Sequence, residues 1–127
     1  MGAPMTAWNE EELVDIGGAD ELRIAPRRRD GTLQPPRIIW VVRHGGDVYV
    51  RSVNGADGAW FRGAQVMHAG RISAGSVDAD VLIEDADHDL DDAIDEEYRR
   101  KYGRSSSAVA RITSPEARST TIRLVPS

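Results

Sequence analysis

The stretch RIIWVVRHGGDVYVRSVNGADGAWFRGAQ, residues 37–65, decides how this chain folds. Residues 37–44 are β-branched and nearly all apolar, which predicts a strand buried on both faces. Gly45-Gly46-Asp47 makes a tight turn into a second run at 48–53, so the two form an antiparallel hairpin. In that second run Val48, Val50 and Ser52 point one way, and Tyr49, Arg51 and Val53 the other. Arg51 is therefore a charge on a strand that is otherwise largely apolar. Gly55-Ala56-Asp57-Gly58 gives a flexible corner, with Asp57 the predicted N-cap of a helix over 58–67 that carries Trp60 and Phe61. A rigid strand that hands over to a backbone-exposing loop is a common seat for binding residues. The same residues also read as a plain hairpin followed by a surface helix whose aromatics are core.

Outward from this stretch, the chain alternates short strands with short helices. Residues 1–7 read as a loose start. Asn9 caps a helix over 10–16 whose first turn is acidic, and Gly17-Gly18 ends it. A weak alternation over 21–25 predicts a strand, and 26–36 a basic loop with a turn at Asp30-Gly31. Strands follow at 68–74 and 77–84, with Gly75-Ser76 as a break or bulge between them. In the second of these Val77, Ala79, Val81 and Ile83 form one face, and Asp78, Asp80, Leu82 and Glu84 a wet one. The 90–102 segment is a helix: Ile94 and Tyr98 stack one turn apart, acids crowd its start, bases its end, and Gly103 stops it. Ser105 to Ser107 reads as a loop, and 109–112 and 120–125 as closing strands, with Pro126 as the stop. The sum is a single mainly β domain: a small six-stranded split β-barrel with two or three peripheral helices.

Composition narrows the function. At 127 residues with 40% hydrophobic content, the chain suits one globular domain with a modest core. No run approaches membrane-spanning length and no secretory signal region is present, so a cytoplasmic location is expected. The absence of cysteine excludes disulfides, thiolate catalysis and cysteine-ligated metals. The net charge of -5 conceals an asymmetry: residues 78–97 carry much of the acid and no lysine or arginine, so all 16 basic residues lie elsewhere. Those bases form only two tight clusters, Arg27 to Arg29 and Arg99 to Lys101, and with few aromatics nucleic-acid binding is not expected.

Asp85, Asp87, Asp89 and Glu96 echo the spacing of a calcium loop, but Leu90 replaces the glycine of its sharp turn. A solvated, acidic helix start explains them, and no metal is expected. His44, His68 and His88 share no ligand spacing, and the 105–107 serines have no positioned base. The loop Arg27-Arg28-Arg29-Asp30-Gly31, followed by Arg37, offers guanidinium forks beside a glycine turn, a combination suited to phosphate. It also reads as a solvated loop that aids solubility.

Four segments, IWVVRHGGDVYVRSVNGADGAWFRGAQ, HAGRISAG, AIDEEYRRKYG and STTIRLVP, resemble in that order an uncharacterised bacterial family, domain of unknown function 2255, from Trp8 onward. That family has no established activity. More distantly, the order is similar to the deazaflavin-dependent nitroreductases and the wider FMN-binding split β-barrels, with 27–37 and 54–62 in the corresponding places. This resemblance implies a homodimer with a flavin-type cofactor, FMN or the deazaflavin coenzyme F420, near the barrel interface.

Two readings follow. In the first, the protein is an oxidoreductase-like barrel acting on a small organic molecule, in which the cofactor does the hydride chemistry. Arg27, Arg28 and Arg37 then hold phosphate; Arg51, Ser52 and Asn54 face the ring or its tail; Trp60 walls the pocket; Tyr98 or Tyr102 donates a hydrogen bond to substrate. In the second, the same groove binds a small anionic or aromatic ligand, or a protein partner, without any cofactor.

Overall fold

The structure is a computed structural model that describes residues 7–127, and the loose start expected for 1–7 lies outside them apart from Ala7. Helix α1 (Glu10–Gly18) opens on a capping box. The Asn9 side chain accepts from the Glu12 amide at 2.8 Å, and the Asn9 amide donates to the Glu12 carboxylate at 2.9 Å. Strand β1 (Leu22–Pro26) leads through the basic loop to β2 (Arg37–Ile39), β3 (Val42–His44) and β4 (Asp47–Val50). Helix α2 (Ala59–Met67), the hairpin β5 (Ala69–Ala74) and β6 (Val77–Asp85), and helix α3 (Asp91–Tyr102) come next. Two short helices, α4 (Ser107–Ile112) and α5 (Pro115–Arg118), precede β7 (Ile122–Pro126). No helix is long and apolar enough to cross a membrane among the described residues.

All seven strands form one antiparallel sheet in the order β2-β1-β5-β6-β7-β4-β3. The two edge strands, β2 and β3, are neighbours in sequence, with only Trp40 and Val41 between them. Three Cα steps reach about 10–11 Å at most, so the sheet must curl until its edges nearly meet. The expected strand at 37–44 is thus one extended segment that serves both edges. Its first half pairs with β1 and its second half with β4, so this segment counts as two of the seven strands, where six were expected.

Burial on both faces holds only for the middle of this segment. Val41 and Val42 are buried, whereas Ile38 is 56% exposed.

The seam strands a peptide that no strand can pair, and α3 supplies the missing partners. The Val41 amide donates to the Tyr102 hydroxyl at 3.2 Å, and Lys101 Nζ donates to the Val41 carbonyl at 2.7 Å. The Tyr102 hydroxyl gives its own hydrogen to the Asp20 carbonyl at 2.8 Å, and the Tyr102 ring stacks on Trp40 at 3.9 Å.

Inward-facing residues of the strands, among them Leu22, Ile24, Val48, Val50, Ile72, Val81, Ile83 and Leu124, fill the barrel. Trp8, Ile16, Trp60 and Ala64 of the helical side close it. A second cluster lies outside the sheet, where α3 packs Ile94 and Tyr98 onto Val42 and Tyr49. Hairpin turns at Gly45-Gly46 and Gly75-Ser76 need a left-handed first residue, met at φ +60° and +58°.

Three local expectations need correction. Residues 109–112 form helix α4, not a strand: Ser106 caps it by accepting from the Ala108 amide at 3.1 Å, and Val109 and Ile112 bury one helical face. Ser114 starts α5 in the same way, with Pro115 in its first turn. Asp57 does not cap α2; it closes a single 3₁₀ turn (Gly55–Asp57), and Gly58 is the cap because a Cβ there would meet the Ser52 hydroxyl. The β4 strand also ends at Val50, so Arg51 and Ser52 lie beyond the ladder.

Candidate functional site

Arg51 leaves the end of β4 with a side chain wholly removed from solvent. Its Nη1 donates to Asp95 at 2.5 Å and to the Ile112 carbonyl at 3.2 Å. Nη2 donates to the Asp91 carbonyl at 3.0 Å, Nε donates to Thr121 at 2.8 Å, and the guanidinium lies 5.5 Å from the Tyr98 ring centre. Nearly the whole fork is thereby engaged within the protein. Arg118 Nε adds a second cation 3.5 Å from Asp95, so the buried charges are balanced. This network ties β4 to α3, α4 and β7, and turns Arg51 away from any ligand.

The other residues expected around Arg51 are likewise committed. The Ser52 amide donates to Thr120 at 2.8 Å and its hydroxyl lies beneath Gly58. Trp60 is a core residue packed edge-on against Phe61. Tyr98 is fully buried with its hydroxyl lacking a hydrogen-bond partner, and desolvation pushes its pKa far up. Tyr102 closes the seam, and burial raises it to about 12. Asn54 lies at a separate shallow pocket, where its side-chain oxygen accepts from Arg111 at 3.4 Å.

The basic loop is folded rather than loose. Arg27 bridges to Leu33, the Arg28 amide donates to the Thr32 carbonyl at 2.7 Å, and the Gln34 amide donates to the Pro26 carbonyl at 2.8 Å. Asp30 pins the turn by accepting from the Thr32 hydroxyl at 2.6 Å and from its amide at 3.0 Å, bonds that lower its pKa. Arg27 is held by the Gly31 carbonyl at 2.7 Å and by Asp80 at 3.2 Å. Arg37 lies in register with Ile24 on β1, whereas Ile38 is opposite Arg23, so Arg37 and Arg23 belong to opposite faces of the sheet.

Arg28 is the expected site residue that faces an open groove. The groove holds about 630 Å³ between the loop and the outer face of β1 and β5. Leu33, Pro35 and Pro36 wall it, Arg23, Arg28 and Arg71 supply its positive charge, and Asp78 is the one carboxylate among its lining residues. Cross-strand register brings Arg23 opposite Ser73 and Ala25 opposite Arg71. Arg71 is held by Asp78 at 2.8 Å and Asp80 at 3.0 Å, and Arg28 by the Leu33 carbonyl at 2.9 Å. Arg23 is exposed and forms no ion pair among the described residues. Arg23 and Arg71 escaped the sequence reading. Their signal was the strand alternation, which sets both on outward positions, but the register that aligns them is not written in either strand alone. The donors suit a phosphate or carboxylate and the prolines and Leu33 suit an apolar body, but no aromatic ring lines the groove.

Comparisons with known proteins place this geometry. A protein described as F420 reductase superposes with a TM-score of 0.58 at 17% identity, over 94% of this chain and 92% of that one. A putative pyridoxamine 5'-phosphate oxidase from Listeria innocua gives 0.64 at 13% identity, over 92% and 91%. An FAD- and heme-binding protein from Mycobacterium smegmatis gives 0.53 at 13%, over 95% and 67%. Likeness at these identities establishes the split-barrel fold. No curated protein matches by sequence. The model of an uncharacterised protein family conserved in bacteria (DUF2255) matches residues 12–124, and the chain belongs to that family.

Proposed function

We propose that the groove beside β1 and β5 binds the phosphate or carboxylate end of a flat, flavin-type cofactor, FMN or a deazaflavin, in an oxidoreductase-like protein acting on a small organic molecule. The observation that carries this reading is Arg23, a cation without an ion-pair partner among the described residues, beside Arg28 and Arg71 in a groove with apolar walls. A bound cofactor of this type supplies hydride transfer. The chain's residues do the rest: Arg23 and Arg28 grip the anion, Arg71 is steadied by Asp78 and Asp80, and Leu33, Pro35 and Pro36 keep water from the apolar body. The split-barrel neighbours named for F420 and for a phosphorylated substrate support it.

The same outer face supports a homodimer. Leu82 is 45% exposed and Ile38 56%, and between them run both signs of charge, Arg23 and Arg71 with Asp78 and Asp80. A face of mixed charge can meet a twofold copy of itself with opposite charges aligned. Closure by a second copy would also wall the open side of the groove.

One observation favours the cofactor-free reading: of the candidate proton donors, Tyr98 is sealed from solvent and the Tyr102 hydroxyl is spent on the Asp20 carbonyl. Titration of FMN and coenzyme F420, followed by the anisotropy of their own fluorescence, separates the two. Micromolar binding that weakens in Arg23→Ala supports the proposal; binding weaker than about millimolar for both leaves a cofactor-free ligand domain.

A further inference from the structure

Lys101 is the sole lysine among the 16 basic residues of the chain. It lines a cavity of about 300 Å³ between α1, β3 and α3, apart from the groove. Leu13, Val14 and Val42 give this cavity an apolar side, Arg43 and Arg100 a cationic one, and the Glu97 carboxylate also lines it. Both arginines are already oriented. Arg43 forks onto Glu10 with two contacts of 3.0 Å, and Arg100 pairs with Glu97 at 2.5 Å.

Lys101 differs from its neighbours in having no carboxylate within ion-pair distance among the described residues. Its partners are the Val41 carbonyl, at 2.7 Å, and the Tyr102 ring, at 5.0 Å. Burial outweighs the distant attraction of Asp20 and brings its pKa down to about 8. The carbonyl bond needs only one N–H. A neutral amine keeps that bond and still has a free lone pair, so deprotonation leaves the nitrogen held and nucleophilic.

We propose that this cavity is a second ligand site, which takes a small aldehyde or ketone bearing a carboxylate or phosphate and holds it as an imine on Lys101. The nitrogen lone pair forms the C–N bond as the carbonyl π pair moves to oxygen. Oxygen takes a proton from solvent while nitrogen releases one, giving the carbinolamine. Its hydroxyl takes a second proton and leaves as water as the nitrogen lone pair forms the C=N bond, and nitrogen releases its remaining proton. One water is lost per imine and no oxidant or reductant is consumed. Arg43 and Arg100 hold the anionic group, and Leu13, Val14 and Val42 the carbon skeleton.

Glyoxylate and neutral propanal, each trapped with cyanoborohydride and mapped by peptide mass, test this. The expected result is glyoxylate adduct on Lys101, formed on the order of tenfold faster than on free Nα-acetyl-lysine, as a lowered pKa exposes more free base at neutral pH. Arg100→Ala should slow glyoxylate capture and leave propanal capture unchanged. Lys101→Arg keeps the charge at the seam and should abolish the adduct. Arg43→Ala is informative only if its thermal melt matches the parent, because Arg43 also anchors α1 through Glu10; Arg100→Ala carries the comparison otherwise. Labelling of Lys101 no faster than of the free amine, or equal capture of glyoxylate and propanal, would overturn the proposal and leave Lys101 as a seam contact alone.

Discussion

Arg23 on β1 and Arg51 just past the end of β4 are both arginines beside apolar strand residues, and they have opposite fates. Arg51 is sealed from water, with its fork shared among Asp95, Asp91, Ile112 and Thr121. Arg23 sits on the outer face of β1, exposed, with Arg28 and Arg71 for company. A guanidinium whose donors are nearly all answered inside the fold is a structural staple. One whose donors are left over is available to a ligand. The two sites therefore predict opposite mutational signatures, stability in one and affinity in the other.

The largest effect is expected at Arg51. Arg51→Met removes the partner of a buried carboxylate, and breaking such a pair costs about 3–5 kcal/mol. Urea denaturation should show a loss of unfolding free energy of that size, read as a lower midpoint at unchanged slope, or no folded protein at all. Adding Asp95→Leu removes the orphaned charge and should recover part of the loss, which an exposed, ligand-facing arginine would not show. A midpoint unchanged in Arg51→Met would dissolve the contrast.

Arg23→Ala comes next, and tests the other half. An exposed side chain without partners should alter stability by less than about 0.5 kcal/mol. Loss of one charge-assisted hydrogen bond to an anion should weaken ligand binding by roughly tenfold to a hundredfold, from about 1.5–3 kcal/mol. Loss of folding without loss of affinity would exchange the roles assigned to the two arginines.

The contrast also shows where sequence ran out. The hairpin at Gly45-Gly46, the N-cap at Asn9 and helix α3 were legible because each is set by residues within a few positions of one another. Arg51 was legible as an anomaly, a charge in an apolar run, but not as a staple, because its partners lie 40 to 70 residues away. The 37–44 segment was legible as extended, and its division between two edges was not, because that follows from closure of the whole sheet. The missed helix at 107–112 was readable. Ser106 and the Ser114-Pro115 pair are start signals, and Val109 with Ile112 has helical rather than strand spacing.

The seam offers a third, intermediate case, with polar groups that are half buried and serve the backbone. Tyr102→Phe keeps the stack on Trp40 and removes the hydroxyl that accepts from Val41 and donates to Asp20. The expected cost is about 1–2 kcal/mol, between an exposed contact and a buried ion pair. Hydrogen exchange should locate it, with faster exchange at the Val41 amide and little change at the strands of the opposite wall.

The last effect is a pH dependence of stability at the seam. Lys101 has a folded pKa of about 8 against an ordinary 10.5, because burial disfavours its charge. Below about 8 both folded and unfolded chains carry the proton, and the fold bears the penalty of burying it. Between about 8 and 10.5 the unfolded chain still binds a proton that the folded chain has released, so stability rises with pH across that window. The groups facing Lys101 do not reverse the sign: Asp20 opposes the shift without cancelling it, Arg43 is forked onto Glu10, and Glu97 is paired with Arg100. Tyr102 acts in the opposite direction at higher pH. With its folded pKa raised to about 12 from 10, its contribution is intact below 10 and is lost as pH climbs from 10 to 12. Melting temperature should therefore climb from pH 8, pass a maximum near 10 and fall. In Lys101→Met the rise should vanish while the alkaline fall remains; a rise that persists in the variant would assign it to another group and leave Lys101 fully charged at the seam.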